Sequence, residues 1–274
     1  MEEWTYLYGN CTEGKKKLLF NCIESYDTKP FSTRIDDHHS LKMIYEPMVE
    51  QMGVTVEVAD KTSMEKNTLA MNALAFSDSH GIFAENPQMV EAFVNAHRDY
   101  SVVFILGDCT RDDVTAILNV IPLHIPILAV AGNHNEKDFY DEFQSRIVDV
   151  HGKVVKLKNG VTVCGLGGVN RYKRDNPKRM MFSQDESIFI SKVMEASIDD
   201  HIETIDILLS HDKAFTKASP DRYYSHTGLI GITRLINLGV THHVFGHYHE
   251  EESFVYLPSN TIGHCVYLMR YLKL

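Results

Sequence analysis

The stretch A-V-A-G-N-H-N, residues 129–135, closes an apolar run that begins at Ile127. Ile127 to Ala131 reads as a buried strand, and Gly132 interrupts it. An amide and an imidazole, Asn133 and His134, follow at once. The same ending recurs at four other places. Leu74-Ala75-Phe76 runs into Ser77-Asp78-Ser79-His80, and Phe104-Ile105-Leu106 into Gly107-Asp108. Ile207-Leu208-Leu209 runs into Ser210-His211, and Val244-Phe245 into Gly246-His247-Tyr248-His249. Each apolar run ends on Asp, Asn or His.

Helical patterns lie between these runs. Asn86–Tyr100 sets Val90, Phe93, Val94 and His97 on one face, with Pro87 early, where a helix tolerates it. Asp112–Val120 offers a short helix. Ser183-Gln184-Asp185-Glu186 fits a capping box ahead of Phe189, Val193 and Ala196. Gly228–Leu238 is a further helix. Val102–Leu106, Ile205–Leu209 and His243–Phe245 read as strands. Val154–Cys164 reads as a hairpin turning at Lys158-Asn159-Gly160. Ser253–Leu257 and Cys265–Leu272 close the chain as two antiparallel strands. The alternation predicts an α/β fold with a largely parallel core sheet, and the closing strands suggest a second sheet packed on it.

Residues 1–69 break this rhythm and read as a small β-β-α-β extension to a main domain at 70–274. Its parts are Tyr6-Leu7-Tyr8, Lys17–Ile23, a helix from Ser40 carrying Leu41, Ile44, Met48 and Met52, and alternating Val54, Val56 and Val58. Pro47 would kink that helix. The last strand could instead join the main sheet.

The chain has 274 residues, of which 44% are hydrophobic, enough for a sizeable core. No apolar run approaches the roughly 20 residues needed to span a bilayer, and the acidic start M-E-E-W-T-Y lacks a signal-peptide pattern. A cytoplasmic protein without membrane partners is expected. The five cysteines form no C-x-x-C pair, so neither a disulfide framework nor a thiolate zinc site is indicated. A net charge of -10 opposes a sequence-independent grip on extended nucleic acid. Oligomeric state is not legible.

In a parallel sheet the carboxyl ends of strands share one edge, where ligands bind. Asp78, His80, Asp108, Asn133, His134, His211, His247 and His249 should therefore converge. Imidazole, carboxylate and amide oxygen suit Mn, Fe, Zn or Ni. Eight such groups exceed one tetrahedral site. Two metals would use most of them, and such a pair activates water and clamps the oxygens of an in-line displacement at phosphorus. A phosphate ester is the natural partner.

D-S-H at 78–80, G-D at 107–108, G-N-H at 132–134, His211 and G-H-Y-H at 246–249 resemble, in order, the motifs of the calcineurin-like metallophosphoesterases. The resemblance covers residues 70–274. It implies a two-sheet β-sandwich flanked by helices and a two-metal centre. Asp78, His80 and His249 would bind the first metal, Asp108 would bridge, and Asn133, His211 and His247 would bind the second. His134 would contact phosphate and protonate the leaving oxygen, while a bridging hydroxide attacks in line. Asp108 and His134 are thus the implied catalytic pair, and Mn the implied metal. Asn135 stands where the family often has an acidic residue. G-D-C-T-R-D-D, with Arg111 one position early, departs from the phosphoprotein phosphatase run. The favoured substrate is a phosphodiester or small nucleotide-like ester. The alternatives are a nuclease, a phosphomonoesterase or protein phosphatase, and a non-catalytic scaffold.

Arg111, Arg171 and Tyr172, with Asn133 and His134, are candidate substrate contacts, Tyr172 by stacking on a base. Arg171, Lys173, Arg174, Lys178 and Arg179 crowd one loop of this acidic chain. His242 and His243 are expected as strand residues. His226 could face the site, but a structural place is the plainer expectation. Asp36-Asp37-His38-His39 reads as a solvated loop, Cys109 as packing, and Cys164–Gly168 as a turn lacking nucleotide-binding spacing.

Overall fold

The computed structural model describes residues 55–57, 69–172, 178–198, 204–216 and 226–274. The expected elements of residues 1–54, and the Asp36–His39 run, lie outside these. Fourteen strands are described. Those of the first half are β1 (Thr55–Glu57), β2 (Asn72–Ser77), β3 (Val102–Ile105), β4 (Ile127–Ala129), β5 (Ile147–Asp149), β6 (Val154–Lys156) and β7 (Thr162–Leu166). The rest are β8 (Val169–Asn170), β9 (Met181–Phe182), β10 (Ile207–Ser210), β11 (His242–Phe245), β12 (Glu252–Leu257), β13 (Thr261–Cys265) and β14 (Leu268–Lys273). The helices are α1 (Ile82–Glu85), α2 (Pro87–Ala96), α3 (Arg111–Val120), α4 (Gln184–Ser197) and α5 (Ile230–Ile236). None is long and apolar enough to cross a membrane among the described residues.

The strands form two mixed sheets, ordered β14-β2-β3-β4-β5 and β1-β12-β13-β11-β10-β7-β6, and a small pair β8-β9. The period of two sorts the side chains into layers. On β2, Ala73 and Ala75 join Val102, Phe104, Ile207, Leu209 and Val244 in the core between the sheets. Leu74 and Phe76 turn outward to Val90, Val94, Val114 and Ile117 of α2 and α3. On the other sheet Leu208 and Phe245 face outward to Met194, Ile232 and Leu235 of α4 and α5. Two sheets flanked by helices is the expected sandwich.

The parallel pairs β2-β3, β3-β4 and β10-β11 align the ends that carry the polar motifs. Ser183 caps α4 in the expected box, its hydroxyl accepting from the Glu186 N–H. Val154–Cys164 forms the expected hairpin.

Some expectations need correction. Cys265–Leu272 is not one strand. β13 ends at Cys265 in the seven-stranded sheet, and the chain then crosses so that β14 pairs with β2 in the other. Leu268, at φ 57°, re-aims it. The closing strands therefore do not make the second sheet between them. Ile147–Asp149, unassigned from the sequence, is the edge strand β5. Gly165 lies within β7 rather than in a turn, where a Cβ would press on Val150. Thr55–Glu57 pairs with Leu257, Tyr256 and Val255 of β12, so this segment belongs to the larger sheet.

Candidate metal centre

Five of the eight strand-end residues occupy left-handed backbone: Asp78 (φ 56°), His80 (45°), Asp108 (53°), His247 (70°) and His249 (52°). L-residues avoid this region, and such outliers gather at sites that surrounding structure over-determines. Sharp turns at the strand ends aim these side chains into one cleft. Two glycines make the approach possible. A Cβ on Gly132 would collide with the Asp108 carboxylate, and one on Gly246 with Ser77 Oγ and the Asp78 carboxylate.

The ligand atoms form two groups: Asp78, His80 and His249, and Asp78, Asp108 and His211, each with donor atoms within 4.8 Å of one another. Asp78 Oδ2 accepts from Ser77 Oγ at 2.6 Å and from the His247 N–H at 2.8 Å. Asp78 Oδ1 is buried with no hydrogen-bond partner. It faces His249 Nε2 at 3.4 Å and His211 Nε2 at 3.9 Å. A buried carboxylate oxygen left without a donor is costly in an empty interior, and a cation satisfies it. Oxygen and imidazole donors, with no thiolate, fit divalent metals. Asp78 is the carboxylate common to the two groups. Asp108, given the bridging place by the resemblance, stands in the second.

His211 is fully buried, and its Nδ1 lies 2.6 Å from the Leu106 carbonyl. That contact places the Nδ1 proton and leaves Nε2 for a ligand role. Nε2 lies 3.3 Å from Asp108 Oδ2 and 3.2 Å from Asn133 Oδ1. Burial lowers the His211 pKa, but the charges of Asp108 and Asp78 outweigh it and raise it to about 9. The converse holds for the acids. Burial pushes both carboxyls up, yet the His211 charge holds Asp78 and Asp108 below the usual range. His247 packs its ring 5.1 Å from that of His211. His80 packs 5.5 Å from His249.

His134 holds Asp108 Oδ1 with its N–H at 2.8 Å, and its Nε2 stands 3.9 Å from Asp108 Oδ2. Its imidazole is 59% exposed, so it can meet a ligand. Burial lowers its pKa against the pull of Asp108. The cleft, of about 310 Å³, is lined by His80, Asp108, Asn133, His134, Tyr172, His226, His247, Tyr248 and His249.

The candidate substrate contacts divide. Tyr172 lines the cleft, its hydroxyl 3.1 Å from Asn133 Nδ2. Arg111 does not: Glu142 holds it at 2.6 Å and it lies over the Phe139 ring. Arg171 is likewise turned away, pairing with Glu186 at 2.8 Å. His226 lines the cleft, its ring 4.8 Å from that of His247. His242 and His243 are strand residues; His243 lies 2.6 Å from Ser210 Oγ. Buried Cys109, its thiol pushed up to about 12 by burial, is inert packing.

Two further residues organise the site. Asn135 Oδ1 accepts from the N–H groups of Asp108 (2.8 Å) and Gly132 (2.9 Å), while Nδ2 donates to the Cys109 carbonyl at 3.0 Å. Asp113 accepts from Ser79 Oγ, the N–H groups of Gly81, Ala84 and Thr110, and Thr110 Oγ1. These ties lock three motif loops together. Thr110 and Asp113 cap α3, and Asp113 reaches on to Ser79 and Gly81, neither of which the sequence reading foresaw.

Three comparisons bear on this arrangement. No curated protein is similar in sequence at a significant level. One crystal structure superposes with a TM-score of 0.53 at 13% identity, covering 73% of this chain and 94% of that one. The crystal structure of TT1561 of Thermus thermophilus superposes with a TM-score of 0.51 at 13% identity, covering 72% and 88%. At such identity the likeness concerns the fold alone. The calcineurin-like phosphoesterase family profile matches residues 71–251, the span that contains all five motifs. With that match over most of its length, the chain belongs to the calcineurin-like phosphoesterase family.

Proposed function

We propose that this cleft hydrolyses a phosphodiester or a small nucleotide-like phosphate ester, with two divalent cations, taken here as Mn, as cofactors. Asp78, His80 and His249 would hold one cation, and Asp108, Asn133, His211 and His247 the other. When bound, such cations supply an activated water and neutralise charge developing at phosphorus. The chain's own part is positioning. Asp108 Oδ1 fixes the His134 backbone, and the exposed imidazole stands over the cleft to give a proton to the departing oxygen.

One observation carries the diester preference. Among the described residues no Arg or Lys lines the cleft. Sites that bind a phosphoryl dianion or a phosphoprotein commonly use a guanidinium fork. Arg111 and Arg171, the substrate contacts expected from the sequence, each pair with a glutamate instead. A singly charged diester asks for less positive charge. The cleft volume, about 310 Å³, sits at the low end of ligand sites and supports a small substrate.

The test is hydrolysis of bis-p-nitrophenyl phosphate beside p-nitrophenyl phosphate by metal-stripped protein restored with Mn. Faster turnover of the diester, lost in Asp108→Asn, is expected. Monoester turnover alone would overturn the substrate class. No turnover of either with metal bound would remove the hydrolase reading for these probes.

A further inference from the structure

Tyr172 and Arg179 lie just beyond the place where β8 and β9 pair in parallel. The Val169 N–H donates to the Met180 carbonyl at 3.1 Å and the Arg171 N–H to the Phe182 carbonyl at 2.8 Å. Tyr172 and Arg179 then reach consecutive residues of the metal centre. The Tyr172 hydroxyl meets Asn133 Nδ2 at 3.1 Å. The Arg179 guanidinium donates to the His134 carbonyl. Main-chain ties run alongside: the Lys137 N–H donates to the Lys178 carbonyl at 3.0 Å, and Glu136 bridges with Arg179.

His134 is thus held at both peptide groups, its N–H by Asp108 and its carbonyl by Arg179. Its imidazole, by contrast, is more than half exposed. A side chain that must meet a departing oxygen from an open position depends on its backbone for aim. Displacement of about 1 Å at such a group can cost on the order of 100-fold.

We propose that Tyr172 and Arg179 are positioning residues that clip Asn133 and His134 onto the metal centre from the two ends of the 172–179 segment. Tyr172 fixes the Asn133 amide so that Oδ1 faces His211 and Nδ2 faces away. Arg179 fixes the peptide that carries the imidazole. The inference rests on the reading of His134 as the group that protonates the leaving oxygen.

Leaving-group dependence tests it. Nitrophenolate departs without a proton, whereas phenolate needs one. Arg179→Met keeps the aliphatic stem and removes the donors; Arg179→Lys keeps one. Each is assayed with Mn-loaded full-length protein on bis-p-nitrophenyl and diphenyl phosphate, or on p-nitrophenyl and phenyl phosphate if only monoesters are cleaved. Arg179→Met is expected to lower kcat for the phenyl ester about 10- to 100-fold and for the nitrophenyl ester less than about threefold. Arg179→Lys should restore most of the loss. Tyr172→Phe should weaken Mn binding about tenfold, as loss of an outer-shell partner does. Equal losses on both esters, or no loss, in Arg179→Met would overturn the positioning role of Arg179. Unchanged Mn affinity in Tyr172→Phe would overturn that of Tyr172. His134→Gln is run in parallel. A leaving-group split there but not in Arg179→Met sinks this inference alone. No split in His134→Gln sinks the acid role, and the clip with it.

Discussion

Cation binding should expel a proton from His211, and the amount follows from the geometry. The imidazole is buried with Nδ1 committed to the Leu106 carbonyl, so only Nε2 can exchange a proton for a metal. Two carboxylates, at 3.3 and 3.9 Å, raise its pKa to about 9 in the metal-free protein. At pH 7 the ring is therefore protonated, and a cation must displace that proton. Two pH units below the pKa, the displacement weakens apparent affinity about 100-fold, roughly 3 kcal/mol. Affinity should rise about tenfold per pH unit from this group and level off near pH 9. His249, raised by the Asp78 carboxylate 3.4 Å from its Nε2, adds in the same direction. The stability sign follows. A folded pKa above the unfolded value of about 6.5 stabilises the metal-free protein fully below that pH, and the contribution is lost as pH rises through 9. Titration calorimetry with Mn at pH 7, in buffers of different ionisation enthalpy, measures the release. At least about one proton per protein is expected, with His211→Asn lowering the count by about one. Release near zero, with an affinity flat between pH 6.5 and 8, would refute the reasoning.

Further outcomes follow from single contacts. Asn135→Leu removes three buried hydrogen bonds and should cost about 3–5 kcal/mol in urea unfolding, besides weakening Mn binding through the Asp108 loop. Asp113→Asn turns a donor amide toward several N–H and O–H groups; a loss of about 2–4 kcal/mol should appear as a drop in Tm. Gly246→Ala presses a methyl on Ser77 Oγ and Asp78, so Mn content measured by atomic absorption should fall while far-ultraviolet circular dichroism holds. Metal removal from the native protein should lower Tm, most steeply near pH 9, where binding is tightest.

The convergence of the strand-end residues was legible because strand periodicity and residue chemistry are both local. An apolar run followed by Asp, Asn or His reports its own placement, and the parallel sheet does the rest. The arginines were not legible for the opposite reason. Arg111 and Arg171 read as substrate contacts because their counter-ions, Glu142 and Glu186, lie 31 and 15 residues away in sequence, and no period connects them. Asp113 read only as part of a short helix, and Asn135 as a family departure. Their long-range bonds to Ser79, Gly81 and Asp108 exist only once the loops are stacked. The crossing from β13 to β14 escaped because Cys265–Leu272 keeps one apolar character while its hydrogen bonds move from β11 and β12 to β2. His226 had no motif to mark it, only a place before α5 that the fold turns toward His247.

Five residues at the site sit at positive φ, and each such residue costs of order 1–3 kcal/mol unless its surroundings compensate. The compensation can be traced. Asp78 is fixed by Ser77 Oγ and the His247 N–H, and Asp108 by the Asn135 amide on one side and the His134 N–H on the other. His80 donates its N–H to the Asp108 carbonyl at 3.2 Å. Each strained residue with a traced partner is thus braced by a neighbouring motif, so the loops are strained together and held together. That mutual bracing explains why the ligand atoms stay within 4.8 Å of one another when two like-charged carboxylates alone would repel. It also explains why Asp78 Oδ1 can remain without a protein donor: the network that orders Asp78 directs its hydrogen bonds to Oδ2 and leaves Oδ1 turned toward the cation site. That oxygen faces His249 and His211, the imidazoles grouped with Asp78 as possible metal ligands.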